Sequence, residues 1–174
     1  MHQDEASCPE HVFSDMWNFL SAGVRQKLSQ IQKDDVDKKR ELIMQNPTVN
    51  IAQCCKCGKQ CVAKRADLHC GGTPCIHDSS FGKGERLKGK EAWILLTFCR
   101  QRLDMREPRF IAENVAEQGD VEYRRNLSEL YDLERVVICP TSLGWKSRRK
   151  RQFILGTLRY LNIRVPRLLV PSVQ

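Results

Sequence analysis

The pattern of apolar and polar residues changes near residue 66, where short apolar runs begin to alternate with stretches of helical spacing. Residues 66–70 form the first run and break at a Gly-Gly-Thr-Pro turn, which predicts a strand followed by a loop. The next element is predicted to be a helix, because one apolar face is formed by Ala92, Leu95, Leu96, Cys99 and Leu103.

Three more strands are predicted downstream, at residues 109–112, 136–138 and 153–155. Leu127, Leu130 and Tyr131 predict a helix between the first two of them. Strands that alternate with helices are typical of an α/β fold with a parallel sheet. In such sheets the chemistry lies just beyond the carboxyl ends of the strands.

The first 65 residues are organised differently. A short β-like run, residues 11–13, ends near Asp15. A charged helix is predicted over residues 34–45, which are rich in Lys, Glu and Leu, and Asn46-Pro47 ends it. A loop rich in Cys and Lys follows. We therefore divide the chain into an N-terminal strand and charged helix region (1–52), a Cys-rich insert (53–64), an α/β core (65–158) and a basic tail (159–174).

Positive charge is concentrated in the C-terminal part of the chain. The 174 residues carry a net charge of +8, and residues 135–174 hold nine Lys/Arg and no Asp or Glu. The other 134 residues carry 20 basic and 21 acidic side chains, a net charge of −1. This basic segment is either a solvated surface or a binding surface for a polyanionic partner, and we favour binding to nucleic acid.

Targeting signals are not evident. The acidic start of the chain is unlike a signal peptide, and no stretch approaches the roughly eighteen apolar residues of a membrane span. We expect an intracellular protein with no membrane partner. In a reducing compartment the nine cysteines are core thiols, metal ligands or a nucleophile.

Cys75 is the first candidate for chemistry. It follows Pro74 at the end of a predicted strand and precedes a loop rich in Gly and Ser, so its thiol is held in one orientation and remains accessible. A cation or helix N-terminus nearby would lower its pKa enough for nucleophilic attack. The alternative is a buried structural thiol.

Glu113 and Asn114 follow the next predicted strand. A carboxyl side chain beside an amide can protonate or hydrogen-bond a nitrogen of a heterocyclic ring. The alternative is an Asn that caps a helix, next to an exposed Glu.

A basic run leads into the last predicted strand. Arg149 and Arg151 are two residues apart, so on a strand their side chains would share one face. The alternatives are a nuclear-localisation run and a general phosphate-binding patch.

In this order the motifs resemble those of the cytosine-C5 DNA methyltransferases. That family has a Pro-Cys nucleophile, then Glu-Asn-Val at the next strand end, then Gln-x-Arg-x-Arg before a strand that ends in Gly. This chain has Pro74-Cys75, Glu113-Asn114-Val115 and Arg149-x-Arg151 ahead of a run that ends in Gly156. The resemblance covers residues 10–158, and the Cys-rich insert is loosely similar to that of protist members.

The resemblance implies a fold and a set of roles. The fold is a partial class I methyltransferase (Rossmann-like) sheet with flanking helices, whose catalytic core is 65–158. Cys75 attacks C6 of a flipped cytosine in DNA, and Glu113, beside Asn114 in the catalytic motif, hydrogen-bonds N3 of the ring. Arg151 helps to hold the flipped base, and Arg149 supports the site or a phosphate. S-adenosyl-L-methionine is the implied cofactor, contacted by Asp15 and Pro74, and the nucleus is the implied location.

The chain also departs from the family pattern. Ile76 replaces the Gln after Pro-Cys, Ser147 replaces the Gln of the arginine motif, and the Gly-rich turn that cradles the cofactor has no counterpart. We therefore expect an incomplete enzyme with little activity alone, which a second chain carrying the missing strands could complete. The rival hypothesis is an inactive nucleic-acid-binding remnant or subunit.

The Cys-rich insert raises a separate possibility. Cys54-x-x-Cys57 is typical of a zinc knuckle, and Cys61 with His69 could complete four ligands. The spacing is irregular, and an ordinary loop with free thiols is the favoured alternative.

Overall fold

The structure, a computed structural model, describes residues 11–13, 15–32, 34–73, 92–116, 120–146 and 148–161. Four helices are described: α1 (Ala22–Gln30), α2 (Val36–Gln45), α3 (Ala92–Met105) and α4 (Val121–Leu127). Six strands are described: β1 (Ile51–Gln53), β2 (Gln60–Val62), β3 (Leu68–Gly72), β4 (Arg109–Val115), β5 (Tyr131–Ile138) and β6 (Arg151–Leu158). Short 3-10 helices are formed by Met16–Phe19, Pro140–Leu143 and Arg159–Leu161.

The main sheet has the strand order β3-β4-β6-β5. The α/β class with flanking helices is confirmed. The expectation of a parallel sheet is only partly right, because β6 runs antiparallel to both β4 and β5. The described residues between β5 and β6 form one short 3-10 helix and not the crossover helix that a parallel pair requires, so β6 returns antiparallel to β5.

The pair formed by β3 and β4 is parallel, as expected. Helix α3 is the crossover between these two strands, and its two sides are buried in different clusters. Leu95, Phe98 and Cys99 pack on the sheet, whereas Leu96 packs against α1 and α2. The helix therefore lies between the sheet and the N-terminal helices, and it is apolar on more than the one face that the sequence predicted.

One predicted helix is wrong in position. The helix expected around Leu127, Leu130 and Tyr131 ends at Leu127, and Tyr131 begins β5 instead. The Tyr131 ring is fully buried, and its hydroxyl donates to the backbone oxygens of Arg102 and Glu107 at 3.0 and 3.1 Å. This tertiary contact is invisible to a pattern of apolar spacing.

The run 11–13 is not a strand, contrary to expectation. Its backbone pairs with the Cys-rich insert, where the Cys55 amide donates to the Val12 oxygen at 2.7 Å. The insert is not an ordinary loop, because it contains the turn and the second strand of a hairpin that β1 and β2 form. No helix in the described ranges is long and apolar enough to cross a membrane.

A buried ion pair closes the turn between α3 and β4. Arg102 and Glu107 are 1% and 2% exposed, and Arg102 Nη1 lies 2.9 Å from Glu107 Oε1. Burial lowers the pKa of Arg102 and raises the pKa of Glu107, and each partner opposes the shift of the other. The guanidinium also lies over the Phe98 ring, 5.1 Å from its centroid, so the charge is contacted on several sides.

Gly156 on β6 is predicted to tolerate no side chain. It is paired with Phe110, and a Cβ added to it would lie 2.0 Å from that ring. Gly156→Ala should therefore lower the free energy of unfolding by about 3 kcal/mol, the upper end for overpacking, as measured by urea denaturation. Gly23→Ala on α1 is the control, because its Cβ would meet nothing within 4 Å. Equal stability of the two variants would contradict this packing.

Candidate active site

The register of β3 and β4 places Gly72 beside Glu113 at the carboxyl ends of both strands. A Cβ on Gly72 would lie 3.2 Å from Glu113 Oε2, so the absence of a side chain at residue 72 leaves space for this carboxylate. Pro74 and Cys75 lie outside the described residues. The strand that leads to them ends next to Glu113.

Asn114 ties this edge to the segment that precedes Pro74. Its side-chain amide donates to the backbone oxygen and to the hydroxyl oxygen of Thr73, both at 2.7 Å. Its Oδ1 accepts from the Val115 amide at 2.7 Å, and the residue is 2% exposed. Asn114 is therefore a buried connector between two strand ends, not a helix cap. Thr73 was not singled out from the sequence, because its partner is 41 residues away.

Arg151 contacts Glu113 from the first residue of β6. Its Nε lies 3.2 Å from Glu113 Oε1, and the side chains are 28% and 41% exposed. In the ladder Glu113 is opposite Phe153 and Val115 is opposite Arg151, so the two charged residues are diagonal neighbours on one face. A pair this exposed adds little stability but restrains the direction of the carboxylate.

The expectation that Arg149 and Arg151 share a strand face is wrong. Strand β6 begins at Arg151, so Arg149 precedes the region in which side chains alternate. Arg135 on β5 takes a supporting position that the sequence did not reveal. It donates to Gln152 Oε1 and to the Ala116 oxygen, both at 2.9 Å, and so connects three segments at the same edge.

The loop from residue 139 to 150 leaves the sheet at this edge, because it joins the end of β5 to the start of β6. Its most exposed apolar side chains are Leu143 and Trp145, at 58% and 70%. Gly144 has a φ of 82°, the left-handed conformation that ends the 3-10 helix before it. Lys146, Arg148 and Lys150 add positive charge to the same loop.

Asp15 does not follow a strand. It caps the 3-10 helix Met16–Phe19, and its carboxylate accepts from the Trp17 amide at 2.9 Å. Because the capping bond satisfies one of the first amides of that helix, it accounts for an Asp at this position. No contact with S-adenosyl-L-methionine is therefore assigned to Asp15, and Pro74 lies outside the described residues.

His69 is not a partner of the Cys-rich hairpin. Its ring packs on Phe98, with centroids 5.6 Å apart, and its Nδ1 lies 3.9 Å from Glu107 Oε1. Burial, and then the charge of Arg102, lowers the pKa of His69 to about 4. The histidine that does reach the cysteines is His11.

A cavity of about 650 Å³ lies away from Glu113, at the amino ends of β3 and β4. Apolar side chains from the N-terminal segment form one wall, and the Arg102–Glu107 pair forms part of another. These two charges are already paired with each other. The strand edge at Glu113 remains the better candidate site.

No protein-family profile and no curated protein matches the chain. A solved structure that does match is described as a DNA modification methyltransferase encoded within a prophage of E. coli. The two share 20% sequence identity with a TM-score of 0.44, and the match covers 60% of this chain and 30% of the other. The match therefore covers less than a third of that protein.

His69 is predicted to make the fold sensitive to acid. The folded protein keeps the ring neutral down to about pH 4, whereas the unfolded chain takes up a proton near pH 6.5. Stability should therefore fall as the pH drops through that window, by on the order of 3 kcal/mol. Urea denaturation of the wild type and His69→Gln at a series of pH values isolates this effect, because the carboxylates titrate in both. Parallel curves would refute it.

Proposed function

We propose that this chain carries the cytosine-binding half of a DNA (cytosine-5)-methyltransferase site, with Cys75 as the nucleophile. The observation that carries the proposal is the edge where Asn114 holds Thr73 and Arg151 contacts Glu113. Thr73 is two residues before Cys75, so the thiol and the carboxylate follow neighbouring strands that end together. A nucleophile, an acid and a cation near one sheet edge are what attack on a cytosine ring requires.

The proposed chemistry begins with a cytosine extruded from the duplex, because C6 is out of reach inside the base stack. The Cys75 thiolate forms a bond to C6, and the electron pair of the C5–C6 double bond moves into the ring toward N3. Glu113 hydrogen-bonds N3 as this charge builds up, and Arg151 holds the Glu113 carboxyl in place. C5 is then nucleophilic. It takes up an electrophile, the donor's methyl group or, without donor, a proton from solvent. Loss of the original C5 hydrogen as a proton to a base and expulsion of the thiolate from C6 then restore the aromatic ring.

S-adenosyl-L-methionine is the proposed methyl donor to C5. Asp15, the described residue expected to contact it, caps a short helix instead, so no contact with the donor is assigned to the described residues. The steps assigned to this chain are those on the cytosine. Exchange of the C5 hydrogen with solvent requires those steps and no donor.

DNA is the proposed partner of the 139–150 loop. Its cations can neutralise phosphates, and the 70% exposed Trp145 offers a flat apolar surface to bases. The loop joins β5 to β6 immediately before Arg151, so DNA bound there would lie next to Glu113. A nuclear location belongs to the same proposal.

The rival function is binding of nucleic acid without chemistry. It is favoured by one specific observation: Asp15, the residue expected to contact the donor, caps a short helix, while the basic loop is retained. Exchange at C5 separates the two functions, because a protein that only binds cannot catalyse it.

The first experiment uses DNA tritiated at C5 of cytosine, with no methyl donor. The full chain should release tritium, Cys75→Ser should not, and Cys70→Ser is the matched control because it removes an exposed thiol from β3. Glu113→Gln should slow release about a hundredfold, the effect of losing one acid–base group. Release that survives in Cys75→Ser would contradict Cys75 as the nucleophile, and no release from the wild type would favour the rival.

The second prediction concerns salt. Replacing Lys146, Arg148 and Lys150 with Ala should reduce the slope of log affinity against log salt by about 2 to 3, since each phosphate contact contributes about 0.9. Fluorescence anisotropy with a labelled duplex measures this slope. The control removes Lys27, Lys38 and Arg125, which lie on the helices. Equal slopes for the two triple variants would mean that the loop is only a solvated basic surface.

A further inference from the structure

Four metal-binding side chains converge outside the candidate active site. The ligand atoms of His11, Cys54, Cys57 and Cys61 all lie within 4.8 Å of one another. Cys57 Sγ and Cys61 Sγ are 3.3 Å apart, and none of the three cysteines is in a disulfide. A tetrahedral zinc ion with Zn–S bonds of about 2.3 Å needs sulfur atoms about 3.8 Å apart. Only small side-chain movements separate the cluster from that geometry.

The backbone around the cluster is already folded into a knuckle. Cys54 follows β1, Cys57 lies in the turn, and Cys61 is in β2. The Cys54 amide donates to the Lys59 oxygen and the Gly58 amide donates to the Cys54 oxygen, both at 2.9 Å. Gly58 has a φ of 69°, which favours glycine and lets the chain reverse immediately after Cys57.

The fourth ligand comes from a distant part of the chain. Val12, next to His11, donates its amide to Cys54 Sγ at 3.4 Å and accepts from the Cys55 amide at 2.7 Å. These two bonds hold the 11–13 segment against the knuckle. An amide directed at a sulfur atom also stabilises a thiolate, the form that binds metal.

We propose that His11, Cys54, Cys57 and Cys61 bind one Zn²⁺ in a tetrahedral structural site. Three sulfur ligands and one imidazole are a set that suits zinc, whereas hard cations such as Mg²⁺ prefer oxygen. Four protein ligands leave no open position for water or substrate, so the ion is structural rather than catalytic.

The hairpin needs such a centre because it has almost no core. Between residues 51 and 62 only Ala52 and Cys54 are buried, while Ile51 and Val62 are 49% and 45% exposed. Two strands of three residues each are marginal without additional contacts. The ion would supply those contacts and would join the 11–13 segment to the hairpin across more than forty residues.

The test begins with the full chain, freed of any affinity tag and purified with a phosphine reductant. Elemental analysis should find one zinc per chain, and Co²⁺ should produce the visible bands of a tetrahedral site with a thiolate charge-transfer band. Cys54→Ser, Cys57→Ser and Cys61→Ser should each weaken binding by more than about a hundredfold, beyond the loss expected for an outer-shell group. Cys55→Ser is the matched control, since its exposed thiol is next to the cluster but not in it.

Two histidine variants identify the fourth ligand and address misfolding. His69→Ala should bind Co²⁺ like the wild type, whereas His11→Ala should lose the tetrahedral spectrum. His11→Cys should keep a tetrahedral spectrum with stronger charge transfer, which a misfolded chain would not give. A wild type without metal, a Cys57–Cys61 disulfide seen by mass spectrometry under reducing conditions, or equal losses in Cys55→Ser and Cys57→Ser would overturn the proposal.

Discussion

The buried ion pair between Arg102 and Glu107 is the constraint on which the α/β core depends. Arg106, between them in sequence, has a φ of 50° and turns the chain from α3 into β4. The pair is completed by Gln101, whose Oε1 accepts from Arg102 Nη2 at 2.8 Å. Loss of one partner would leave a charge buried without compensation, at a cost of about 3–5 kcal/mol. The end of α3 and the start of β4 are therefore fixed relative to each other.

That fixed turn sets the geometry at the opposite end of the sheet. Strand β4 starts two residues after Glu107, and its register with β3 brings Gly72 beside Glu113. Hydrogen bonds from Asn114 to Thr73 then continue the contact beyond the last paired residues. The position of the carboxylate at the candidate site follows from packing at the far end of the same two strands.

The knuckle and the candidate active site are held by different forces. The edge at Glu113 belongs to a sheet that buries a continuous apolar cluster, whereas the hairpin buries little. A metal ion can replace a hydrophobic core in a segment of this size, because its ligand bonds are strong and directional. The hairpin is also continuous with β3 along the chain, so the proposed ion would stabilise the segment immediately before the strand that leads to Cys75.

The sequence by itself determined those elements that are marked by neighbouring residues, such as an apolar spacing or a helix stop signal. Asn46-Pro47 ended α2 where expected, and the apolar spacing located α3. The ends of two strands were not located, because β3 continues through Gly71 and Gly72 and β4 continues to Val115. The sequence also identified Cys54, Cys57 and Cys61 as candidate metal ligands, because these three residues lie close together along the chain. It could not reveal that β6 inserts between β4 and β5, since strand order depends on how the whole sheet packs.

Only the tertiary structure decided which distant side chains meet. Apolar spacing placed Tyr131 in a helix, but its buried hydroxyl donates to carbonyl oxygens that are 24 and 29 residues away. The same limit applied to the histidines. His69 is nearer in sequence to the cysteines, but its ring packs against Phe98 instead. The backbone pairing of Val12 places His11 beside the cysteines. Contacts of this kind depend on the free energy of the whole fold, so no local pattern of residues records them.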